Sequence, residues 1–445
     1  MTQRPTPRLS PELKEKLIHA ARQRRLNQPP DATPTSLPAA PAPAVAEQYW
    51  RFDQHPGYRQ VQLLRAGAAH FGVADPFFKV HEGLAGATTH IEGREYLNYA
   101  SYNYLGLCGH PVVNAAAAQA IAQYGTSVSA SRMVAGERPV HQQLEAAIAQ
   151  AYGVDAALAL VSGHATNVTV IGHLFGPRDL VLHDEWIHNS SLQGMVLSGA
   201  RRLSFPHNDW QALDALLSEQ RGRFERVLVV VEGLYSMDGD FPDLPRFIAV
   251  KQRHRAFLMV DEAHSLGVMG ATGLGLREHF GVPGSAVDIW MGTLSKALAG
   301  CGGYIAGEAA LIDNLKHLAP GFLYSVGMPP PVAAAAHAAL ALLQREPQRV
   351  QRLQARGALF LAQARAAGLD TGTSAGLAVI PVLTGSSVRA VRLSTALFEE
   401  GINVQPILYP AVPENAARLR FFLSSEHTDA QILHTIDATR RALAN

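Results

Sequence analysis

Cysteine is almost absent: Cys108 and Cys301 are the only two in 445 residues. Two thiols cannot build a disulfide framework and here lack metal-ligand spacing, which fits a reducing compartment. Charge of one sign is missing too, since 38 Lys and Arg face 37 Asp and Glu for a net +1. Without a basic stripe or a strongly basic domain, nucleic acid is excluded as the expected partner. No apolar run approaches the roughly 20 residues of a membrane span. The opening stretch MTQRPTPRLSPELKEKL lacks the apolar core of a secretory signal, so a cytoplasmic protein with no membrane span is expected. Lysine is scarce, with six in all, and none follows Gly and precedes Ser or Thr. That excludes a P-loop, although Asp261-Glu-Ala-His264 alone would suggest a helicase box.

What is present, 47% hydrophobic and 17% charged residues, describes a globular chain of up to about three domains. Ser10 and Glu12 open a basic helix over Leu9–Arg25, and a Pro- and Ala-rich linker runs from Asn27 to Ala46. This segment, residues 1–46, reads either as a solvated extension or as a docking element for a partner protein. From Trp50 onward apolar runs alternate with helical patterns: 156–161, 180–182, 227–231, 257–260, 289–291 and 303–306. The alternation predicts an α/β domain with a mostly parallel sheet. A smaller α+β domain follows from about Pro329. Its expected elements are two helices, a strand over 377–383, a helix over 388–400, strands near Val404 and over 418–422, and a final helix.

Two further motifs lead nowhere. Gly372-Thr-Ser-Ala-Gly376 has the spacing of a nucleophile elbow, but it follows a helix and precedes a strand, the reverse of what an elbow needs. His183 and His188 stand five apart rather than the four that puts two zinc ligands on one helix face, and no metal site is expected. Lys296 is different. It follows an apolar strand, sits among small residues and has Thr293 and Ser295 beside it, a setting that desolvates an amine and lowers its pKa. Asp261 ends the apolar run Phe257–Val260, and strand C-termini are where open parallel sheets bind ligands. An amine for a Schiff base and an anion to keep a pyridine nitrogen protonated are what pyridoxal 5′-phosphate demands. Ser162-Gly163 turns the 156–161 strand into a helix whose free N–H groups suit a phosphate.

These residues resemble the α-oxoamine synthase family, pyridoxal-phosphate enzymes of fold type I, over about Asn98–Ala442. The motifs that carry the resemblance are Asn103-Tyr-Leu-Gly-Leu107, Tyr124 through Arg132 with Gly136, Glu137 and His141, Ser162-Gly163, Asp184 through His188, Glu232 through Gly239, Asp261 through Ser265, Gly292 through Lys296, and Arg418-Leu-Arg420. Asp-Glu-Ala-His-Ser and Gly-Thr-Ser-x-Ser-Ala-Ser-Arg are more similar to the serine palmitoyltransferase branch and polyketide-associated members than to the biotin-pathway enzyme.

The resemblance implies a seven-stranded, mostly parallel sheet flanked by helices at 111–328, a small domain at 329–445 and an N-terminal segment, 47–110, packing on it. It implies that Lys296 joins the cofactor covalently, Asp261 meets the pyridine nitrogen, His264 meets the phenolic oxygen and His188 stacks on the ring. Ser236 would lie near the cofactor oxygen, while Ser162, Gly163, His164 and Thr293 would hold the phosphate. His164 departs from the family's usual Tyr or Phe, which touches a side-chain contact and not the backbone ones. Arg420 would clamp the amino acid carboxylate with help from Asn103, Arg418 would be structural, and Ser325 would complete the other monomer's site in a homodimer. The implied reaction is a decarboxylative Claisen-type condensation of an amino acid with an acyl thioester. An aminotransferase or a non-catalytic scaffold subunit are the alternatives. Which amino acid, which acyl chain, and whether coenzyme A or an acyl carrier protein bears it stay open.

Overall fold

The computed structural model describes residues 45–70 and 75–444. The expected helix at Leu9–Arg25 and all but the last two residues of the linker lie outside these. The chain falls into two compact units, Met1–Gly67 and Ala68–Asn445. The described part of the first has single turns at Glu47–Tyr49 and Phe52–Gln54 and most of a helix, Pro56–His70, that starts on a proline as first helical turns tolerate.

In the second unit, β1 (Thr88–Ile91) and β2 (Arg94–Asn98) form an antiparallel hairpin. The large sheet comprises β3 (Ala156–Leu160), β4 (Leu180–Asp184), β5 (Arg201–Phe205), β6 (Val227–Glu232), β7 (Phe257–Asp261), β8 (Ile289–Thr293) and β9 (Gly303–Gly307). Its order is β3-β9-β8-β7-β6-β4-β5, and only β9 runs antiparallel to its neighbours. β6, Val-Leu-Val-Val-Val-Glu, is buried throughout because helices cover both faces of a parallel sheet. The crossover helices carry their own start signals: Asp209 and Asp243 cap Trp210–Gln220 and Leu244–His254 through their carboxylates. β5 lies in a stretch with no strand signal. It is an edge strand, and the exposed Arg201 and Arg202 that guard such an edge also interrupt any apolar run.

The C-terminal region contributes β10 (Val379–Leu383), β11 (Ile402–Asn403), β12 (Gln405–Ile407) and β13 (Arg418–Phe422). β10, β13 and β12 make a second, antiparallel sheet, whereas β11 pairs in parallel with β2. The single strand expected near Val404 is thus two short strands flanking that residue, each serving a different sheet. Trp290 is fully buried in the core beneath the large sheet, and its indole N–H donates to Gly284 O at 2.8 Å. Among the described residues no helix is long and apolar enough to cross a membrane, and no cluster of His, Cys, Asp and Glu could hold a metal ion.

Candidate functional site

The C-terminal ends of β6, β7 and β8 and the turns that follow β3 and β4 converge on a cavity whose wall includes Gly163, His188, Glu232, Asp261, His264 and Lys296. Asp261 is the last residue of β7, and both of its oxygens are engaged. Asn167 Nδ2 donates to Oδ2 at 2.9 Å and the Ala263 N–H to Oδ1 at 2.9 Å. The same Asn167 amide donates to Ser190 Oγ (2.9 Å), which lies 2.7 Å from His188 Nδ1. His188 Nδ1 also accepts the Ser190 backbone N–H, so it carries no proton and the neutral ring bears its proton on Nε2. Burial lowers the His188 pKa, with Lys296, His164 and Arg420 acting in the same direction against Asp261.

Lys296 lies in the loop between antiparallel β8 and β9, closed by Leu294 N–H to Gly302 O (2.9 Å) and Gly300 N–H to Leu294 O (2.8 Å). Gly302 has φ 140°, and a Cβ there would come within 2.7 Å of Leu160 O, so this closure needs glycine. Removal from water lowers the Lys296 ammonium to about 8, although Asp261 and Glu232 pull it the other way. Its Nζ stands 5.7 Å from the centre of the Tyr102 ring. His264 is buried, hydrogen-bonds Tyr104 OH at 2.7 Å and is held well below its ordinary pKa by desolvation and the nearby cations.

At the start of the helix Gly163–Leu174, Ser162 Oγ accepts the Ala165 N–H at 3.3 Å, leaving the Gly163 and His164 amides with no partner inside the helix. A Cβ on Gly163 would lie 2.8 Å from Thr293 Oγ1, so only glycine lets this turn approach the end of β8. Thr293 Oγ1 donates to Gly302 O at 2.9 Å, and His164 lies with its ring 6.5 Å from that of His188.

Arg420 projects from β13. Its Nη1 reaches Ser236 O at 3.0 Å and Met237 Sδ at 3.2 Å, its guanidinium lies 4.5 Å over the Phe422 ring, and its buried Nε has no partner. Arg418, two residues earlier, pairs with Asp238 and donates to Met237 O. Ser236 is buried, with its N–H donating to Glu232 Oε2 at 3.3 Å. Five predicted residues are not part of the cavity wall: Ser162, Ser236 and Arg420, described above, and Asn103 and Ser325. The Asn103 amide donates to Ala85 O (2.8 Å) and accepts from Cys108 N–H (3.1 Å), and Ser325 lies at the surface with Oγ donating to Val326 O at 3.2 Å.

Four contributors have no role assigned by the sequence motifs: Asn167, Ser190, Glu232 and the His207 cluster. Asn167 could have been found, because it lies one turn after Gly163 on the same helix face. His207 Nδ1 lies 2.9 Å from Asp184 Oδ1 and its Nε2 3.0 Å from Asp240 Oδ2, with the ring stacked on Trp186 at 3.8 Å. Asp184 also accepts the Trp186 N–H (2.9 Å) and the Asn208 N–H (2.7 Å), fixing the loop that delivers His188. Burial disfavours the His207 charge, but its bonds to the two carboxylates prevail and raise it to about 9.

The family model of aminotransferase class I and II matches residues 94–438. The 8-amino-7-oxononanoate synthase of Geobacter sulfurreducens is 41% identical over 361 residues, covering 81% of this chain and 92% of its own. That of Cellvibrio japonicus is 42% identical over 347 residues, covering 78% and 86%. Among solved structures, the serine palmitoyltransferase of Sphingomonas wittichii superposes with a TM-score of 0.82 at 29% identity, over 87% of this chain and 97% of that one. An 8-amino-7-oxononanoate synthase from Francisella tularensis gives 0.67 at 25% identity, over 78% and 97%.

Proposed function

Since the chain belongs to the aminotransferase class I and II family, and within it to the pyridoxal-phosphate-dependent α-oxoamine synthases, we propose that its cavity condenses an amino acid with an acyl thioester, releasing CO₂ and the thiol and leaving an α-amino ketone. The residues present fit the cofactor. Asp261 offers an anion steadied by two N–H groups, Lys296 an amine with a lowered pKa, and the Gly163 turn a pair of free amides in a space a Cβ would fill. Bound pyridoxal phosphate supplies the electron sink for charge developing at the α-carbon of the amino acid.

The chain's own residues then divide the work. Asp261 holds the pyridine nitrogen protonated. Gly163 and His164 amides, Ser162 and Thr293 hold the phosphate. His188 packs against the ring, its plane set by the Asn167–Ser190 chain, and His264 with Tyr104, and Ser236, lie toward the phenolic oxygen. Arg420, with an unspent Nε, binds the carboxylate of the amino acid, as a planar guanidinium does best. Lys296 holds or releases the α-proton near neutral pH. Asn103 assists by fixing the 101–108 loop beside the site. Ser325, flanked by the exposed Tyr324 and Val326, reaches the phosphate of a second copy in a homodimer.

The observation that carries this reading is Lys296 and Asp261 on the wall of one cavity, Asp261 ending β7 and Lys296 in the loop after the neighbouring β8, with Arg420 near enough to act on the Lys296 charge. The names of the relatives divide between two amino acid and acyl combinations, so the substrates are read by experiment. Single amino acids are added to the purified protein and the visible spectrum followed. Acyl-coenzyme A or acyl carrier protein thioesters are then supplied, and thiol and CO₂ counted. One amino acid should shift the spectrum saturably, and thiol and CO₂ should appear in equal amounts only with both substrates. An oxo acid formed without thioester would establish an aminotransferase instead.

A further inference from the structure

Two carboxylates share this site, and they are hydrogen-bonded unequally. Glu232 ends β6 directly opposite Asp261 at the end of β7, and side chains at opposite positions of parallel neighbours lie on the same face of the sheet. Both line the cavity. Asp261 accepts two N–H bonds at 2.9 Å, whereas Glu232 Oε2 accepts a 3.3 Å bond from Ser236 N–H with the His188 amide also near the carboxyl, and Oε1, fully buried, has no partner. A buried oxygen with no donor, beside an anion, suits a protonated carboxyl that needs an acceptor rather than a carboxylate that needs donors.

We infer that Glu232 is held as the neutral acid and donates its proton in a hydrogen bond to the phenolate oxygen of the bound cofactor. This rests on the assignment of Asp261 to the ring nitrogen, which leaves the phenolate as the cofactor's remaining anionic ring atom. Every group facing Glu232 bears on its charge. Burial and Asp261 favour the proton, Lys296 from the β8–β9 loop and the His188 and Ser236 backbone amides oppose it, and the balance raises the carboxyl to about 8. Tyr235 and Arg420 complete the surroundings, the tyrosine itself pushed well above its ordinary pKa by burial. Glu232 is therefore a positioning residue that sets the proton affinity of the cofactor, and a glutamine, neutral and a donor, can replace it.

The test uses the holoenzyme and two variants, Glu232→Gln and Glu232→Ala, with visible absorbance titrated against pH and circular dichroism confirming the fold. Losing a donor to an oxygen anion makes that oxygen more basic. Glu232→Ala should raise the midpoint of the absorbance titration by about one pH unit, the equivalent of one hydrogen bond to a charged group. Glu232→Gln should leave the midpoint where the wild type has it. In the wild type, infrared difference spectra against Glu232→Gln should show one protonated carboxyl stretch at pH 7 that vanishes at pH 10. Equal shifts in both variants, no shift in either, or no such stretch would overturn the inference. A wild type that shows no visible band with added pyridoxal phosphate would overturn the cofactor assignment itself, and the infrared band would still report whether Glu232 is neutral.

Discussion

His207 is a cation sandwiched between Asp184 and Asp240, and its energetic weight can be worked out. Its folded pKa of about 9 stands above the 6.5 of a free imidazole. At about 1.4 kcal/mol per unit, the folded state gains about 3 kcal/mol from the protonated ring. Because the folded value is raised, that gain is complete below about pH 6.5 and disappears as pH climbs through about 9. Replacing it with glutamine removes the titration while keeping a polar side chain. Denaturant midpoints of the wild type and His207→Gln, followed by circular dichroism from pH 6 to pH 10, isolate the effect, since every other titrating group is common to both. The wild type should be the more stable at pH 6, and the gap should shrink by about 3 kcal/mol by pH 10. A gap that stays constant across this range would show that the ring is not charged between its two carboxylates and would refute the reasoning.

Further outcomes follow from the site. Lys296→Ala should lower condensation by at least about a hundredfold, the lower end of what a positioned base contributes, while pyridoxal phosphate remains removable by dialysis and no longer fixed by borohydride. Arg420→Lys, which loses the planar fork, should raise the KM for the amino acid by about tenfold, as measured by initial rates at saturating thioester. In Gly163→Ala the added Cβ meets Thr293 Oγ1 at 2.8 Å, so cofactor affinity should fall by about tenfold in an absorbance titration.

The central strands were legible because covering both faces of a parallel sheet demands uninterrupted apolar residues, and β6 and β7 obey this. β5 obeys a different demand, that of an edge, and two exposed arginines conceal it. Lys296 and Asp261 could be read because chemistry and chain position coincide at the strand ends. Glu232 could not, since its meaning depends on the register that sets it against Asp261, a contact between residues 29 apart that no local pattern records. Asn103 shows the converse: its motif is plain in the sequence, while only the structure shows that its amide is spent on Ala85 and Cys108. His207 lies in an irregular loop, and of its two carboxylates Asp184 ends β4 while Asp240 lies in the loop after β6.

The loop after β6 is stitched to the second sheet at several points: Arg418 to Asp238, Arg420 to Ser236, Thr373 to Asp240 at 2.6 Å and the Ala375 N–H to Gly239 O at 2.9 Å. The chain between these anchors runs through the long helices Pro330–Arg345 and Gln348–Ala366. On the function proposed above, neither sheet therefore owns the amino acid pocket. Cleaving the chain within those helices would yield two fragments, one bearing the amine and the other the guanidinium, and neither could select a substrate alone. Substrate choice in this protein belongs to a seam rather than to a module.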